Sequence, residues 1–237
     1  MHQQSLKKVN FVPYVISIFK TGAAILSATL IFSGTVWAAV PQANPGKIAE
    51  LKKRSSGLIS EAANRRLMRA HELAAAEKYG EAVDLLASYL KNDSIRPGEK
   101  AQFEQNLGFI LAQKGDHANA IKHLEAALKL NELPYAPTLS TKFAIAQLLL
   151  AQEKYQKAIE TTEEWFQLAE KPTPEAYIVL ATAYSQTGKK GEALQLVETA
   201  ISKSPKPSET WLLFALGLNF EMEKWDKCAQ YLEYLTG

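Results

Sequence analysis

The chain has 237 residues, of which 47% are apolar and 22% are charged, and its formal net charge is +2. These values are typical of a folded globular protein and exclude a highly charged, apolar-poor disordered chain. Three of the 27 basic residues and none of the 25 acidic ones precede position 39, so the remainder carries 24 basic and 25 acidic residues. A nearly neutral chain argues against nucleic acid as a partner.

The N-terminus has the pattern of an export signal. Its positively charged residues are Lys7, Lys8 and Lys20. They stand ahead of an apolar run over 23–39 that contains no acidic residue. Because Val36 and Ala38 supply small residues at the two specificity positions, we predict that residues 1–38 are a signal peptide cleaved after Ala38. The alternative is an uncleaved membrane anchor, because residues 11–19 add further apolar length. Membrane contact would then be confined to the N-terminus.

Basic residues dominate the segment that follows. We predict a basic linker and leading helix over 39–63, ahead of a repeat region over 64–237. The basic residues between 47 and 70 are Lys47, Lys52, Lys53, Arg54, Arg65, Arg66 and Arg69, against Glu50 and Glu61. They either line a solvated helix or form a docking surface for an acidic protein or for anionic lipid headgroups.

One pattern recurs every 35 to 38 residues from about residue 64 to the end. Its anchors are Ala82, Ala120, Ala158, Ala193 and Cys228. Twelve residues before the first four anchors stand further small residues, Ala70, Gly108, Ala146 and Ala181. Leucine or tyrosine follows three residues later, and a second apolar stripe follows the anchor, which is the spacing of one helical face. Each copy is therefore predicted to be two amphipathic helices joined by a short polar turn, with the small residues letting two backbones approach closely.

The pattern resembles the tetratricopeptide repeat, whose period is about 34 residues and whose signature includes these small residues and a late proline such as Pro205. The resemblance implies an all-α, right-handed solenoid of about five helix-turn-helix repeats without a sheet. The fifth copy fits if its inner turn is one residue shorter, so that Gly217 and Phe220 on the first helix pair with Cys228 on the second. Thr173 and Ser208 are predicted to cap the first helices of the fourth and fifth copies.

The reactive side chains do not show the spacing of a known catalytic or metal-binding motif. The histidines His71, His117 and His123 lack metal-ligand spacing. Adjacent Glu163 and Glu164 on a predicted helix point about 100° apart, so they are not a paired acid and base. Cys228 is the single cysteine, which excludes an internal disulfide and predicts a buried thiol. We therefore expect a non-catalytic protein without a cofactor or a metal.

A partner-binding groove is predicted on the concave surface formed by the first helices. The predicted groove residues are Gln102, Gln105, Phe109, Phe143, Gln147, Ile178, Thr182, Trp211 and Phe214. Rings would supply contact area and amides would pair with a peptide backbone, which suits an extended or helical protein segment. The alternative is that some of these rings pack between repeats.

Parts of the third, fourth and fifth copies resemble a narrower group. The stretches 164–177, 181–184 and 209–213 are similar to periplasmic repeat proteins that accompany the TonB, ExbB and ExbD energy-transduction systems of Gram-negative bacteria. Trp165 carries most of this resemblance, because the generic repeat has a small residue there. The resemblance implies a periplasmic adaptor that binds protein partners and assists TonB-dependent transport of iron chelates or similar cargo.

Other functions fit the same pattern. One alternative is a cell-envelope assembly or structural scaffold, and another is a solute-binding or glycan-binding protein that uses the aromatic groove. Leu232 and Leu235 have no following helix to cover them in this sequence, which leaves open self-association through the C-terminal repeat.

Overall fold

The computed structural model describes residues 40–55 and 59–236, and the predicted signal peptide or anchor lies outside them. Within these ranges every regular element is an α-helix and no strand occurs, which confirms the all-α prediction. The helices are α1 (Pro45–Lys52), α2 (Glu61–Ala75), α3 (Tyr79–Leu90), α4 (Pro97–Gln113), α5 (His117–Lys129), α6 (Tyr135–Ala151), α7 (Tyr155–Leu168), α8 (Pro174–Gln186), α9 (Lys190–Lys203), α10 (Glu209–Glu221) and α11 (Trp225–Thr236).

Helices α2 to α11 form five consecutive pairs. The two helices of each pair pack against each other, and the second helix also packs against the first helix of the next pair. One continuous apolar cluster runs from Ala63 in the first pair to Tyr231 in the fifth. A core made between neighbouring units is the architecture of an α-solenoid, as the repeat pattern predicted.

Small residues allow close approach within the first four pairs. Ala70, Ala146 and Ala181 are at most 1% exposed, and Gly108 is buried as well. A Cβ built on Gly108 would lie 2.6 Å from Leu124 Cγ and 3.1 Å from the Ala120 carbonyl oxygen. Since Leu124 is itself fully buried, α4 and α5 lie at a separation that leaves no room for an additional methyl group at this contact.

The turn inside each pair has the same geometry in all five copies. Its left-handed residues are Glu77, Gly115, Glu153, Gly188 and Glu223, with φ between 57° and 87°. The next residue donates its N–H to the carbonyl five residues back, as Lys78 does to Leu73 at 2.8 Å. This is the Schellman arrangement that ends many helices, and glycine is its usual left-handed residue.

This turn corrects the predicted register of the fifth pair. Glu223 stands five residues before Cys228, and Lys224 N donates to Asn219 O at 2.9 Å, as in the other copies. The inner turn is therefore not shorter, and Leu216 occupies the position of the small residue. Gly217 is exposed and a Cβ there would meet nothing within 4 Å, so its predicted pairing with Cys228 is wrong, as is that of Phe220.

The Cys228 thiol is buried, as predicted, at 7% exposure. Burial raises the pKa of this thiol above its usual value. The thiolate form is therefore disfavoured at neutral pH.

The two predicted helix caps have different outcomes. Ser208 caps α10, because its hydroxyl accepts the Trp211 N–H at 3.4 Å. Thr173 occupies the N-cap position of α8, but its hydroxyl makes no capping hydrogen bond, so that prediction is wrong for the side chain. The Ala176 N–H instead donates to the Thr173 carbonyl oxygen at 3.1 Å, which satisfies this donor through the backbone.

The close contact at Gly108 predicts that a glycine-to-alanine change lowers stability there but raises it at the open position Gly217. Alanine is favoured over glycine inside a helix by about 1 kcal/mol, but overpacking a buried contact costs about 1–3 kcal/mol. We expect Gly108→Ala to lower the free energy of unfolding in urea, because its methyl must displace Leu124. Gly217→Ala is the matched control and should raise the free energy of unfolding, since the site is open. A Gly108→Ala variant more stable than the parent would contradict the close-packing argument.

The left-handed turn residues give a second test. An L-residue pays roughly 1–2 kcal/mol in this conformation, so Glu153→Gly should raise the melting temperature, with part of the gain offset by the greater chain entropy of glycine in the unfolded state. Gly115→Ala should lower the melting temperature, because nothing lies within 4 Å of the new Cβ and only backbone strain changes. Shifts of the same sign for the two variants would refute the strain.

Candidate functional site

All nine predicted groove residues lie on first helices, distributed over α4, α6, α8 and α10. The seven half-buried ones are Gln102, Phe109, Phe143, Ile178, Thr182, Trp211 and Phe214. Gln147 is exposed and Gln105 is buried. Their role in binding stays a prediction.

The amide of Gln105 is used inside the fold. Its Nε2 donates to Thr141 Oγ1 at 2.8 Å and to the Pro137 carbonyl oxygen at 3.2 Å. Thr141 in turn donates to that same carbonyl at 2.7 Å. These bonds join the first helices of the second and third pairs, so Gln105 fixes the angle between neighbouring pairs. Sequence spacing could not show this, because the acceptor lies 36 residues away.

Phe109, Phe143, Ile178 and Thr182 occupy two repeating positions of the first helices. Phe143 and Ile178 lie three residues before the small residue of their own pair, and Phe109 and Thr182 lie one residue after it. With Leu216 in the small-residue position, the same positions in the fifth pair are Leu213 and Gly217. Leu213 is 39% exposed.

Trp211 and Phe214 lie one position out of this series. Trp211 corresponds to Phe103 of the second pair, which is fully buried, whereas Trp211 itself is half-buried. Sequence analysis missed Leu213 because it assumed a register shifted by one residue. The Glu223-Lys224 turn indicates the correct register, because Glu223 stands five residues before the anchor Cys228 as in the other copies. We use the name first-helix face for the set Gln102, Phe109, Phe143, Gln147, Ile178, Thr182 and Leu213. Trp211 and Phe214, which are also half-buried, lie one position beside it, and their role in binding stays a prediction.

Trp165 supports this face from within the third pair. Its indole is 6% exposed and Nε1 donates to the Leu139 carbonyl oxygen of α6 at 3.1 Å. The ring centroid lies 5.6 Å from that of Phe143 and 5.4 Å from that of Phe166. The large residue at a usually small position thus holds Phe143 against α7.

The leading helix α1 packs on the third pair, far along the chain. Asn44 caps it, accepting the Lys47 N–H at 3.0 Å. Ile48 and Leu51, three residues apart, are 5% and 6% exposed. We call the receiving surface the α1 dock. It consists of Leu128, Leu133, Tyr135, Lys142, Gln167, Leu168 and Glu170.

Polar contacts fix both ends of α1 on the dock. At the N-terminal end, the Asn44 N–H donates to the Gln167 carbonyl oxygen at 2.7 Å and Lys47 Nζ donates to Gln167 Oε1 at 2.9 Å. At the other end, Lys52 Nζ lies 2.7 Å from a Glu170 carboxylate oxygen and 5.4 Å from the centroid of the Tyr135 ring. A cavity of about 300 Å³ remains between α1 and the dock.

Two acidic neighbours singled out in the sequence have separate partners. Glu163 accepts a hydrogen bond from the Tyr184 hydroxyl at 2.7 Å, whereas Glu164 binds Lys142 Nζ at 2.6 Å. Burial and the Glu163 carboxylate raise the pKa of Tyr184 well above its usual value, so the hydroxyl stays a donor. Both glutamates join helices to each other.

The part of the chain that the structure describes holds no group of three His, Cys, Asp or Glu side chains able to bind a metal ion together. Over the same residues, none of the helices combines the length and apolar character needed to cross a membrane. His123 is paired with Glu104 at 2.6 Å, across the two helices of the second pair.

Comparison with known families identifies the repeats. Residues 100–171 and 143–207 match family models described as tetratricopeptide repeat. The matched stretch 100–207 therefore carries tetratricopeptide repeats, and the described helices form a solenoid of that class.

Solved structures of the same class have this fold. A MamA double mutant of strain RS-1 aligns with a TM-score of 0.64 at 16% identity, covering 74% of this chain and 93% of its own. MamA from Desulfovibrio magneticus RS-1 aligns with a TM-score of 0.63 at 17% identity, covering 75% and 94%. A tetratricopeptide repeat protein from Parabacteroides merdae ATCC 43184 gives 0.62 at 16% identity, covering 74% and 66%. The TM-scores show a shared fold, and at these identities the likeness extends to the fold alone. No curated protein is significantly similar to the chain in sequence.

Trp165 should be required for the third pair to pack. Replacing a buried aromatic residue by alanine typically costs about 3–5 kcal/mol, so we expect Trp165→Ala to lower the urea midpoint strongly and to release Phe143. Trp225→Ala is the matched control, because Trp225 is 56% exposed and its loss should cost about 1 kcal/mol or less. Equal losses for the two variants would contradict the assigned packing of Trp165.

Proposed function

We propose that the protein is an exported, non-catalytic adaptor that holds a protein partner on the first-helix face and serves TonB-dependent transport. The observation that carries this proposal is the series of accessible residues at equivalent positions of successive first helices. A partner lying across the first helices meets Phe109, Phe143, Ile178 and Leu213 in turn, above a continuous buried core.

The chemistry of the first-helix face suits a polypeptide. Apolar rings and aliphatic groups bury area at little entropic cost when their lower halves are already packed. Phe143 meets this condition through Trp165. The exposed amide of Gln147 can both donate to and accept from a peptide backbone. The face therefore offers apolar contact area beside a group that can pair with main-chain atoms.

The proposed setting rests on sequence features. The charged and apolar pattern over 1–38 supports export to the periplasm, with a mature chain that begins at Ala39. The resemblance over 164–177 supports association with TonB, ExbB or ExbD, and Trp165 within that stretch is tied to the first-helix face through Phe143. Deletion of the protein should then impair growth when iron is supplied only as a chelate.

A photo-crosslinking residue at Gln147 tests the adaptor function in the living cell. We expect adducts with a TonB-system component, identified with antibodies to TonB, ExbB and ExbD, and a mature mass in the periplasmic fraction that begins at Ala39. The matched control places the same residue at Glu160, which is exposed on the second helix α7, and should give no adduct.

Substitutions on the first-helix face test how much these residues contribute to partner affinity. Gln102→Arg combined with Gln147→Arg should weaken the captured complex by at least about tenfold, which corresponds to about 1.4 kcal/mol. Undiminished adducts in this variant, or equal adducts from positions 147 and 160, would show that the partner binds elsewhere.

A further inference from the structure

Helix α1 is held by the α1 dock in the way that a ligand is held by a receptor. Its packing partners are α6 and α7, and Lys47 lies 120 residues from its hydrogen-bond partner Gln167. The pairs of the solenoid pack on their neighbours in sequence, whereas α1 precedes the first pair and contacts the third. Helix α1 therefore lies outside the repeat series.

The fold of α1 depends on the dock. Eight residues are fewer than an isolated helix needs to be stable in water. Ile48 and Leu51 are buried in this position, and the Asn44 and Lys47 contacts fix the N-terminal end. Without the dock, this segment loses its apolar partners, and the helix is no longer stable.

The dock, by contrast, is built by the solenoid itself. The Tyr135 hydroxyl donates to the Leu168 carbonyl oxygen at 2.9 Å, which positions the ring that receives Lys52. Leu133 belongs to a buried cluster with Ala101 and Ala127 that involves no atom of α1. We therefore expect the surface to keep its shape when α1 leaves.

The polar contacts at the C-terminal end of α1 are exchangeable. The side chains of Lys52 and Glu170 are 46% and 49% exposed, and solvent-exposed pairs of this kind hold weakly and are screened by salt. Another helix that carries the same groups can replace them without leaving a buried charge unpaired.

We propose that the α1 dock is a second recognition site, occupied in cis by α1 and opened to a helix of a partner protein with the same chemistry. That helix presents two aliphatic residues three apart, flanked on each side by lysine, as in the order Lys47, Ile48, Leu51, Lys52. It also carries an N-cap residue whose N–H meets the Gln167 carbonyl. This site is separate from the first-helix face and does not depend on the function proposed for that face.

Docked α1 competes with an external helix for the α1 dock, and this competition lowers the apparent affinity of the external helix. A tethered segment acts at an effective concentration on the order of millimolar, so the docked α1 lowers the apparent affinity of an external helix by the fraction of time the dock is empty. Partners with weaker apolar or charge matching are excluded, and a matching helix displaces α1.

Binding of a fluorescein-labelled peptide of residues 41–55 to the full chain tests the proposal by anisotropy. In Ile48→Asp with Leu51→Asp, α1 should leave the dock, and the peptide should bind at least about tenfold tighter than to the unchanged chain. A peptide with the same two substitutions should not bind. Unchanged affinity, with the circular dichroism of the solenoid retained, would overturn the proposal.

A second variant avoids any change to buried groups. Lys52→Glu places like charges beside each other at Glu170 and should also increase peptide binding. In a chain that carries Ile48→Asp, Leu51→Asp and Glu170→Lys, the unchanged peptide should bind several-fold more weakly, and a peptide with Lys52→Glu should recover the loss. Absence of this recovery would refute the charge contact.

The chemical specificity is tested with a reduced peptide. A peptide that keeps Asn44, Lys47, Ile48, Leu51 and Lys52 with alanine elsewhere should bind the opened chain within about threefold of the full peptide. If it fails to bind, the stated partner chemistry is wrong. Sedimentation of the unchanged chain should show no concentration-dependent dimer, because an exchange of α1 between two copies would make the occupant a second copy. Crosslinking from position 147 should be unaffected throughout, so this proposal and the adaptor function fail independently.

Discussion

The contact between a small residue on the first helix and the second helix of the same pair controls the rest of the structure. At Gly108 the spacing to Leu124 and to the Ala120 carbonyl leaves no room for a methyl group, so the distance between α4 and α5 is fixed. Small residues at this position in the first four pairs and the Schellman turn in all five give the pairs a similar shape. Equivalent residues of successive first helices then fall on one surface, and this arrangement makes a repeated protein-binding face possible.

Sequence analysis reached the helix pairs because their determinants are local. The spacing of small and apolar residues is readable within one copy, and four of the five pairs follow it. The fifth does not, since Leu216 stands where the others have Ala or Gly. The spacing of small residues therefore favoured Gly217, and the prediction of Trp211 and Phe214 as groove residues followed that register. The turn Glu223-Lys224 held the correct register, because the left-handed residue keeps a constant distance from the anchor.

The features that the sequence did not reveal depend on partners in other repeats. The burial of Gln105 depends on Thr141, 36 residues later, and the position of α1 depends on residues more than 100 positions away. The segment predicted as a basic linker and leading helix contains α1 and the first residues of α2. Lys52 of this segment pairs with Glu170 of the same chain. Both interpretations of the basic residues, a solvated helix and a docking surface for an acidic protein or anionic lipid headgroups, stay predictions.

The distance in sequence between α1 and the α1 dock also affects the order in which the helices can pack. Five helix pairs that pack on their neighbours in sequence can fold one after another along the chain. Helix α1 is synthesised first, yet the carbonyl of Gln167 and the carboxylate of Glu170 that receive it appear some 120 residues later. During that interval its Ile48 and Leu51 have no surface to cover them, so among the described elements the earliest helix to be made is one of the last to find its place.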